Sequence, residues 1–355
     1  VIAGRDDLAD QYLDAIEAEL CWRAEHEQSV PHEVDTLYVG GGTPTRLTAT
    51  QLTRLFEILD KWFPRRSGTE YTVEANPNDL DPGKLRLLVD AGVNRVSLGV
   101  QSFRDEKLKA LDRDHSGDDA RRAFELLRPM IPQIAMDLIF AAPGETADQW
   151  RAELDAAVSM APEHFSTYGL TYERGTTFFG SLQRGQLRET DEEQQREMYL
   201  EAIKRLGAAG WDQYEVSNFA RPGCRSRHNE NYWLGGRYSG IGAGASRFIG
   251  NERATNHRST TTYIKRTLGG DDPTAERETL TAELLTRERV IFGLRRREGI
   301  DLATISSETG INAHSLVGDT LASFVELGLI QSSAARYWLT QQGLLVSDAI
   351  WPELL

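Results

Sequence analysis

Apolar residues along the chain recur first at helical spacing and then in alternation, and this change of period repeats for most of its length. Between Asp6 and Glu27, Leu8, Tyr12, Leu13, Ile16 and Leu20 fall on one helical face opposite a set of acids, which predicts an amphipathic helix. The apolar run Val34-Asp35-Thr36-Leu37-Tyr38-Val39 predicts a buried strand. Leu52, Leu55, Phe56, Leu59 and Phe63 predict a second helix, opened by Thr48-Ala49-Thr50-Gln51, which has the form of a capping box. Residues 70–75 then alternate, with Tyr71, Val73 and Ala75 on one face and Glu70, Thr72 and Glu74 on the other. Asp81-Pro82 reads as the start of a helix that Gly92 closes. Arg95 to Gln101 alternates again, with Val96, Leu98 and Val100 opposite Ser97, Gly99 and Gln101. One helical stretch from about Asp105 to Met130 and a strand from Ile134 to Phe140 follow. A helix from near Thr146, a strand from about His164 to Thr171, a helix from Asp191 to Gly207 and a strand near Trp211 to Ser217 complete the series.

Strand and helix thus alternate at intervals of roughly thirty residues, the spacing of right-handed βαβ units, so the fold class is α/β with a parallel sheet, open or curled into a barrel. From about Thr274 the character changes: helices are predicted over 279–297, 302–309 and 314–327, then two short strand-like runs about Ser332-Ser333-Ala334-Ala335. Three helices and a hairpin resemble a winged-helix module. Its third helix carries Asp319 and Glu326 but no Lys or Arg, so no nucleic-acid partner is expected. The expected organisation is a barrel over 1–220, a connecting region over 221–273 and a small C-terminal domain over 274–355.

The first strand runs straight into Gly40-Gly41-Gly42-Thr43-Pro44-Thr45. Three glycines put bare backbone N–H and C=O groups at a strand's C-terminal end, where a polar ligand can touch them; a tight turn is the alternative. Thr43, Glu74, Gln101 and Asp137 all lie on or just after strands. In a curled sheet they would converge, and a polar side chain pointing into a barrel is costly unless it is paired or binds something.

Composition narrows the class. With 355 residues, 40% of them hydrophobic, the chain can bury a large core and is long enough for two domains. Lys and Arg number 40 against 54 Asp and Glu, a net charge of -14 that repels nucleic acid and anionic membrane. There is no run of eighteen apolar residues, so no transmembrane segment is expected, and two cysteines, Cys21 and Cys224, suit a reducing compartment; the expected location is cytoplasmic. The Gly240-x-Gly242-x-Gly244 run lacks dinucleotide spacing and is expected to let backbone pass close to the barrel.

Taken together, GGGTPT (40–45), EANP (74–77), GVQSF (99–103), LDRDH (111–115), DLIFAAPGET (137–146), YEVSNFA (214–220) and HNENYW (228–233) resemble the radical S-adenosylmethionine proteins related to oxygen-independent coproporphyrinogen dehydrogenase, and within them the haem chaperones. The resemblance implies a partial (β/α) barrel of the radical SAM type with a small, mostly helical, winged-helix-like C-terminal domain. It implies S-adenosylmethionine and a [4Fe–4S] cluster as cofactors. By motif, Gly41, Gly42 and Thr43 would hold the methionine end, and Glu74, Gln101, Arg113 and Asp137 would complete that pocket. Glu74 and Asp137 can accept from hydroxyl and ammonium groups and Arg113 can fork onto a carboxylate, although Arg113 alone reads as a solvated charge.

The family's cluster is held by three cysteines in a C-x3-C-x2-C loop, which is not found here. The chain opens on Val1, and the expectation is that a segment carrying the motif precedes it, so that the cluster belongs to the complete protein and this chain holds no metal. His228, Tyr232 and Trp233 of HNENYW are, by the resemblance, associated with haem; on their own they also read as a polar loop anchored by two aromatics. The expected function is therefore a haem chaperone that delivers haem to membrane-associated haemoprotein acceptors. The rivals are an oxygen-independent coproporphyrinogen III dehydrogenase that oxidatively decarboxylates propionates and a cluster-free binding protein.

Overall fold

The structure, a computed structural model, describes residues 8–27, 30, 33–172, 180, 182–185 and 187–355. Its main sheet has seven strands: β1 (Val34–Val39), β2 (Arg65–Ala75), β3 (Arg95–Gln101), β4 (Gln133–Phe140), β5 (His164–Gly169), β6 (Asp212–Gln213) and β7 (Asn218–Ala220). They lie in the order β1-β2-β3-β4-β5-β7-β6. β2 through β5 pair parallel, each with the next, as expected of successive βαβ units. The result is a partial (β/α) barrel. Val96, Leu98, Val100, Ile134, Met136, Leu138 and Phe165 are fully buried, and β3 is covered on both faces instead of alternating, because a parallel sheet is buried on both sides.

The barrel's end departs from expectation. The stretch Trp211 to Ser217 is not one further parallel strand: β7 pairs antiparallel with β5, and β6 antiparallel with β7. Only residues 214–217 separate β6 from β7, too few for the crossover that parallel pairing needs, and the Tyr214 N–H donates to the Asn218 carbonyl to turn the chain back. The expected single helix from Asp105 to Met130 is two helices, Asp105–Ala110 and Gly117–Leu127. Asp112 takes a left-handed backbone (φ +54°) between them, and Ser116 with Asp119 forms a capping box that restarts the helix. Strand β2 begins at Arg65, ahead of the predicted stretch, and β5 ends at Gly169. Other punctuation follows the sequence: Thr48–Gln51 and Thr146–Gln149 are capping boxes, and Asp81 caps Pro82–Asp90. The expected first helix is observed as Ala9–His26; Asp6 and Asp7 lie outside the described residues.

The chain gathers into two compact units interleaved along its length: Val1–Leu37, Leu47–Glu70 and Ser226–Leu355 form one, and Tyr38–Arg46 with Tyr71–Arg225 the other. In the first unit, β8 (Ser246–Ile249), β9 (Glu252–Asn256) and β10 (Thr274–Thr279) make a three-stranded antiparallel sheet that the polar composition of 246–256 had hidden. The Gly240–Gly244 run passes close to the first helix, where a Cβ at Gly242 would lie 2.5 Å from the Tyr12 hydroxyl. Glu19, buried, accepts from the Gly242 N–H (2.9 Å), the Asn256 amide (2.8 Å) and the Tyr263 hydroxyl (2.5 Å), and pairs with Arg23. Helices Ala282–Leu294, Leu302–Thr309 and Ala313–Glu326 and the sheet of β11 (Ile300–Asp301), β12 (Ile330–Ser333) and β13 (Arg336–Leu339) form the winged-helix-like part.

Candidate functional site

The barrel unit concentrates its unusual chemistry on one sheet face. Register places Glu74 opposite Ser97, Ser97 opposite Ala135, and Asp137 opposite Ser166, so Glu74, Ser97, Asp137 and Ser166 share a face, together with Gly99 and Tyr168. Gln101 leaves that pattern through a register shift after Leu98 and has a left-handed backbone (φ +62°). Its side chain nevertheless returns: a Cβ at Gly99 would stand 3.1 Å from the Gln101 Nε2, so the amide lies over Gly99 on the Glu74 and Asp137 face.

The triple glycine meets this face through Glu74. Tyr38, near the end of β1, donates its hydroxyl to Glu74 Oε1 (2.8 Å), and the Gly41 N–H donates to Oε2 (3.2 Å). Gly40 is needed because a Cβ there would lie 2.5 Å from both Glu74 Oε1 and the Tyr38 ring, and Gly41 because its φ is +81°. Gly41 and Gly42 stay exposed and Thr43 is half-buried, its carbonyl accepting from the Arg46 N–H. Arg113 is exposed on the loop between the helices Asp105–Ala110 and Gly117–Leu127. The loops that carry Gln101 and follow Asp137 are fixed from below by a buried triad: Lys107 donates to Glu145 (2.5 Å) and Glu153 (2.6 Å), while these carboxylates accept from the Ala142 and Phe103 N–H groups.

Electrostatically the face is rich in acceptors and short of cations. Asp137 accepts from the Ser97 hydroxyl at 3.0 Å. Loss of water pushes its carboxyl up to about 7, the Ser166 and Ser97 hydroxyls partly offset this, and the Glu74 charge adds to it. Glu74 is raised as well, again by burial first, against the stabilising bonds from Tyr38 and Gly41. Burial and these carboxylates together raise the Tyr38 phenol far above its ordinary value. Such a cluster can accept from ammonium and hydroxyl groups and stabilise a positive charge, and the exposed glycine backbone beside it can meet a carboxylate.

The second candidate site lies in the other unit, on the short helix Arg227–Trp233. Glu70 is buried at its N-terminus and accepts from the Arg227 and His228 N–H groups, both at 3.0 Å, which neutralises first-turn donors and fixes His228. Both His228 ring nitrogens have partners: Nδ1 lies 2.9 Å from Thr36 Oγ1 and Nε2 3.1 Å from the Tyr232 hydroxyl. Burial lowers the His228 pKa below its ordinary value, so the imidazole is neutral at pH 7. Tyr232 packs edge-on against Tyr238, and Trp233 packs tilted to Phe292 with the Arg295 guanidinium 4.6 Å above its ring. These rings, with Phe248 and Leu285, wall a cavity of about 240 Å³.

Sequence reasoning missed Tyr38, Ser166 and Tyr168, and in the second site Tyr238, Phe248, Arg289 and Phe292. A tyrosine or phenylalanine on a strand or helix reads as core, and nothing local marks which of them meet. Gly40, which opens the glycine run, was the one signal that a bulky neighbour pressed on the loop.

The comparisons give this barrel and its carboxylate-bearing face a class, that of the radical SAM proteins. Residues 14–157 match the Radical SAM superfamily and residues 280–346 the HemN C-terminal domain. The chain is 35% identical to the heme chaperone HemW of Bacillus subtilis (strain 168), over 98% of this chain and 91% of that protein. It is 36% identical to the heme chaperone HemW of Mycobacterium tuberculosis (strain H37Rv), over 98% of this chain and 86% of that one. The chain belongs to the HemW family. Among solved structures, the coproporphyrinogen III oxidase HemN of Escherichia coli, a radical SAM enzyme, superposes with a TM-score of 0.86 over 99% of this chain and 84% of that chain. At 23% identity the likeness shows the shared fold.

A radical SAM domain implies S-adenosylmethionine and a [4Fe–4S] cluster. The acceptor-rich face fits the first: a carboxyl pushed up to about 7 by burial, on the same face as Glu74, whose second oxygen meets the exposed Gly41 backbone, suits an ammonium and a sulfonium. The described residues do not fit the cluster: Cys21 is exposed on the first helix, Cys224 is half-buried, and among the described residues no three His, Cys, Asp or Glu side chains are grouped to hold a metal ion. No helix among the described residues is long and apolar enough to cross a membrane.

Proposed function

We propose that this chain is a haem chaperone: it binds haem beside His228, Tyr232 and Trp233, hands it to membrane-associated haemoproteins in the cytoplasm, and holds S-adenosylmethionine on the Glu74, Gln101 and Asp137 face. The observation that carries the reading is the near-full-length identity to proteins named as heme chaperones, joined to an aromatic-walled cavity beside the HNENYW helix. The likeness to the E. coli oxidase bears on fold and does not favour a propionate decarboxylase.

His228 is suited to hold haem iron because burial keeps it neutral and Thr36 can accept from Nδ1–H, leaving Nε2 as the ligating nitrogen once the Tyr232 hydroxyl turns away. Tyr232 and Trp233 offer flat apolar area to a porphyrin. On the other face, Glu74 and Asp137 would accept from the ammonium and ribose groups of S-adenosylmethionine, and Gly41 and Gly42 would meet its carboxylate. That cofactor supplies the sulfonium chemistry when bound.

Haemin titrated into the protein should give a saturable Soret shift, weakened about tenfold or more in His228→Ala. A wild type with no saturable shift would end the chaperone reading; identical wild-type and His228→Ala curves would remove His228 from it.

A further inference from the structure

Tyr38 and Glu74 are joined more closely than neighbours on a sheet need to be. Tyr38 and Gly40 are two apart where β1 ends, so in extended backbone they point to the same side. The Tyr38 ring fills the space a side chain at 40 would take: a Cβ there would lie 2.5 Å from the ring and 2.5 Å from Glu74 Oε1. The Tyr38 hydroxyl donates to Glu74 Oε1 at 2.8 Å, and the Gly41 N–H donates to Oε2 at 3.2 Å. One carboxylate oxygen is thus held by the strand and the other by the glycine run. A carboxylate has about four acceptor positions, so these two donors orient the group without saturating it.

We infer that Tyr38 is a positioning residue for S-adenosylmethionine: its hydroxyl fixes Glu74 against the glycine run, so that the carboxylate and the exposed Gly41 and Gly42 backbone meet the methionine end together. The inference rests on the cofactor reading above and adds to it the group that aims the carboxylate. Electrostatics act in the same direction. Burial raises the Glu74 pKa, and the bonds from Tyr38 and Gly41 oppose this by favouring the charged form. Burial first, then the Glu74 charge, raises the Tyr38 phenol far above its ordinary value, so it stays protonated and keeps its hydrogen for Glu74. The other titratable groups facing Glu74 are Asp137 from β4 and Tyr168 from β5, while β3 places the uncharged Ser97 opposite it. Without the Tyr38 hydroxyl, Glu74 would take up its proton at higher pH, and a protonated Glu74 offers a cation no charge.

Tyr38→Phe tests this, because it keeps the ring that packs on Gly40 and deletes the hydroxyl. Two measurements read the effect. With the glutamate carboxyls isotope-labelled and Glu74→Gln identifying the signal, NMR should show the Glu74 titration moving to higher pH in Tyr38→Phe. In equilibrium dialysis, S-adenosylmethionine affinity should fall about tenfold or more at acid pH, the scale of a hydrogen bond to a charged group, and the gap to the wild type should narrow as pH rises. Asp137 titrates in both proteins, so the ratio of their affinities at each pH removes its contribution to first order. A ratio that is the same at every pH, or a Glu74 titration that does not move, would reduce Tyr38 to packing and overturn the inference while leaving cofactor binding intact. The carboxyl titration needs no ligand. A wild type that binds no S-adenosylmethionine, although Glu74 moves in the variant, would remove the cofactor reading and this inference with it.

Discussion

The two units carry unlike sites. On the barrel face, Glu74 and Asp137 with their hydroxyl neighbours gather acceptors, and burial pushes the Asp137 carboxyl up to about 7. The HNENYW cavity is walled instead by the rings of Tyr232, Trp233, Tyr238, Phe248 and Phe292. Each wall describes its ligand: a cationic group among the acceptors of one unit, a flat apolar one among the rings of the other. The comparison is useful because one site is read by charge and the other by apolar area, so a change that removes charge and one that removes a ring or a hydroxyl should act on different ligands.

The largest effect that would break the comparison lies at Glu74. Glu74→Gln keeps the shape and can keep the bond from Tyr38, but removes the charge that the glycine loop and the face share. Losing one charge from a buried, hydrogen-bonded pairing is worth about 2–5 kcal/mol, so S-adenosylmethionine affinity measured by equilibrium dialysis should fall by roughly thirtyfold or more. An unchanged dissociation constant would show that the cofactor binds elsewhere.

Next in size is a pH dependence. Because the Asp137 pKa is raised to about 7, the group is largely protonated below pH 7 and ionised above it. Affinity for a cationic ligand should therefore rise with pH through about 7, by at most about tenfold per pH unit below that value, and level off above it. The stability of the ligand-free protein should run the other way. A carboxyl whose folded pKa exceeds its unfolded one favours the fold at low pH, and this contribution is lost as pH climbs from the ordinary carboxyl range to about 7. Asp137→Asn should flatten both profiles, in dialysis and in thermal melts at pH 5 and pH 8. Profiles that keep their slope in the variant would assign the titration to another group, with Glu74 first in line.

How much of this could be read from the chain depends on whether a residue stands out from its element. Glu74 and Asp137 were legible because a carboxylate on an apolar, buried strand is costly, and the triple glycine because one or two glycines would make a turn. Gln101 was legible as a residue but not in its route: the register shift and the left-handed backbone that fold its amide over Gly99 have no local signature. The Gln213 to Asn218 turn was not legible, since short polar and aromatic runs fit a strand of either direction. Tyr232 and Trp233 announced themselves within six residues. Arg289 and Phe292 sit on the helix Ala282–Leu294, far along the chain, and read there as a solvated charge and a core ring until the fold brings them to the same cavity.

The smallest effect sharpens the comparison from the HNENYW side. Thr36, on β1, meets His228 through its hydroxyl, at 2.9 Å from Nδ1, and the Tyr232 hydroxyl holds Nε2. Thr36→Val replaces the hydroxyl with a methyl of similar volume, leaving His228 anchored by the Glu70 bond to its N–H but free to choose its tautomer. If Thr36 only packs, haemin affinity should not move. If it orients the imidazole, the affinity should drop about three- to fivefold, the scale of one neutral hydrogen bond, and the Soret maximum should shift because the electron density donated by Nε2 depends on what Nδ1–H is bound to. A loss in affinity without any spectral change would show that the Thr36 hydroxyl supports binding without standing behind the ligating nitrogen.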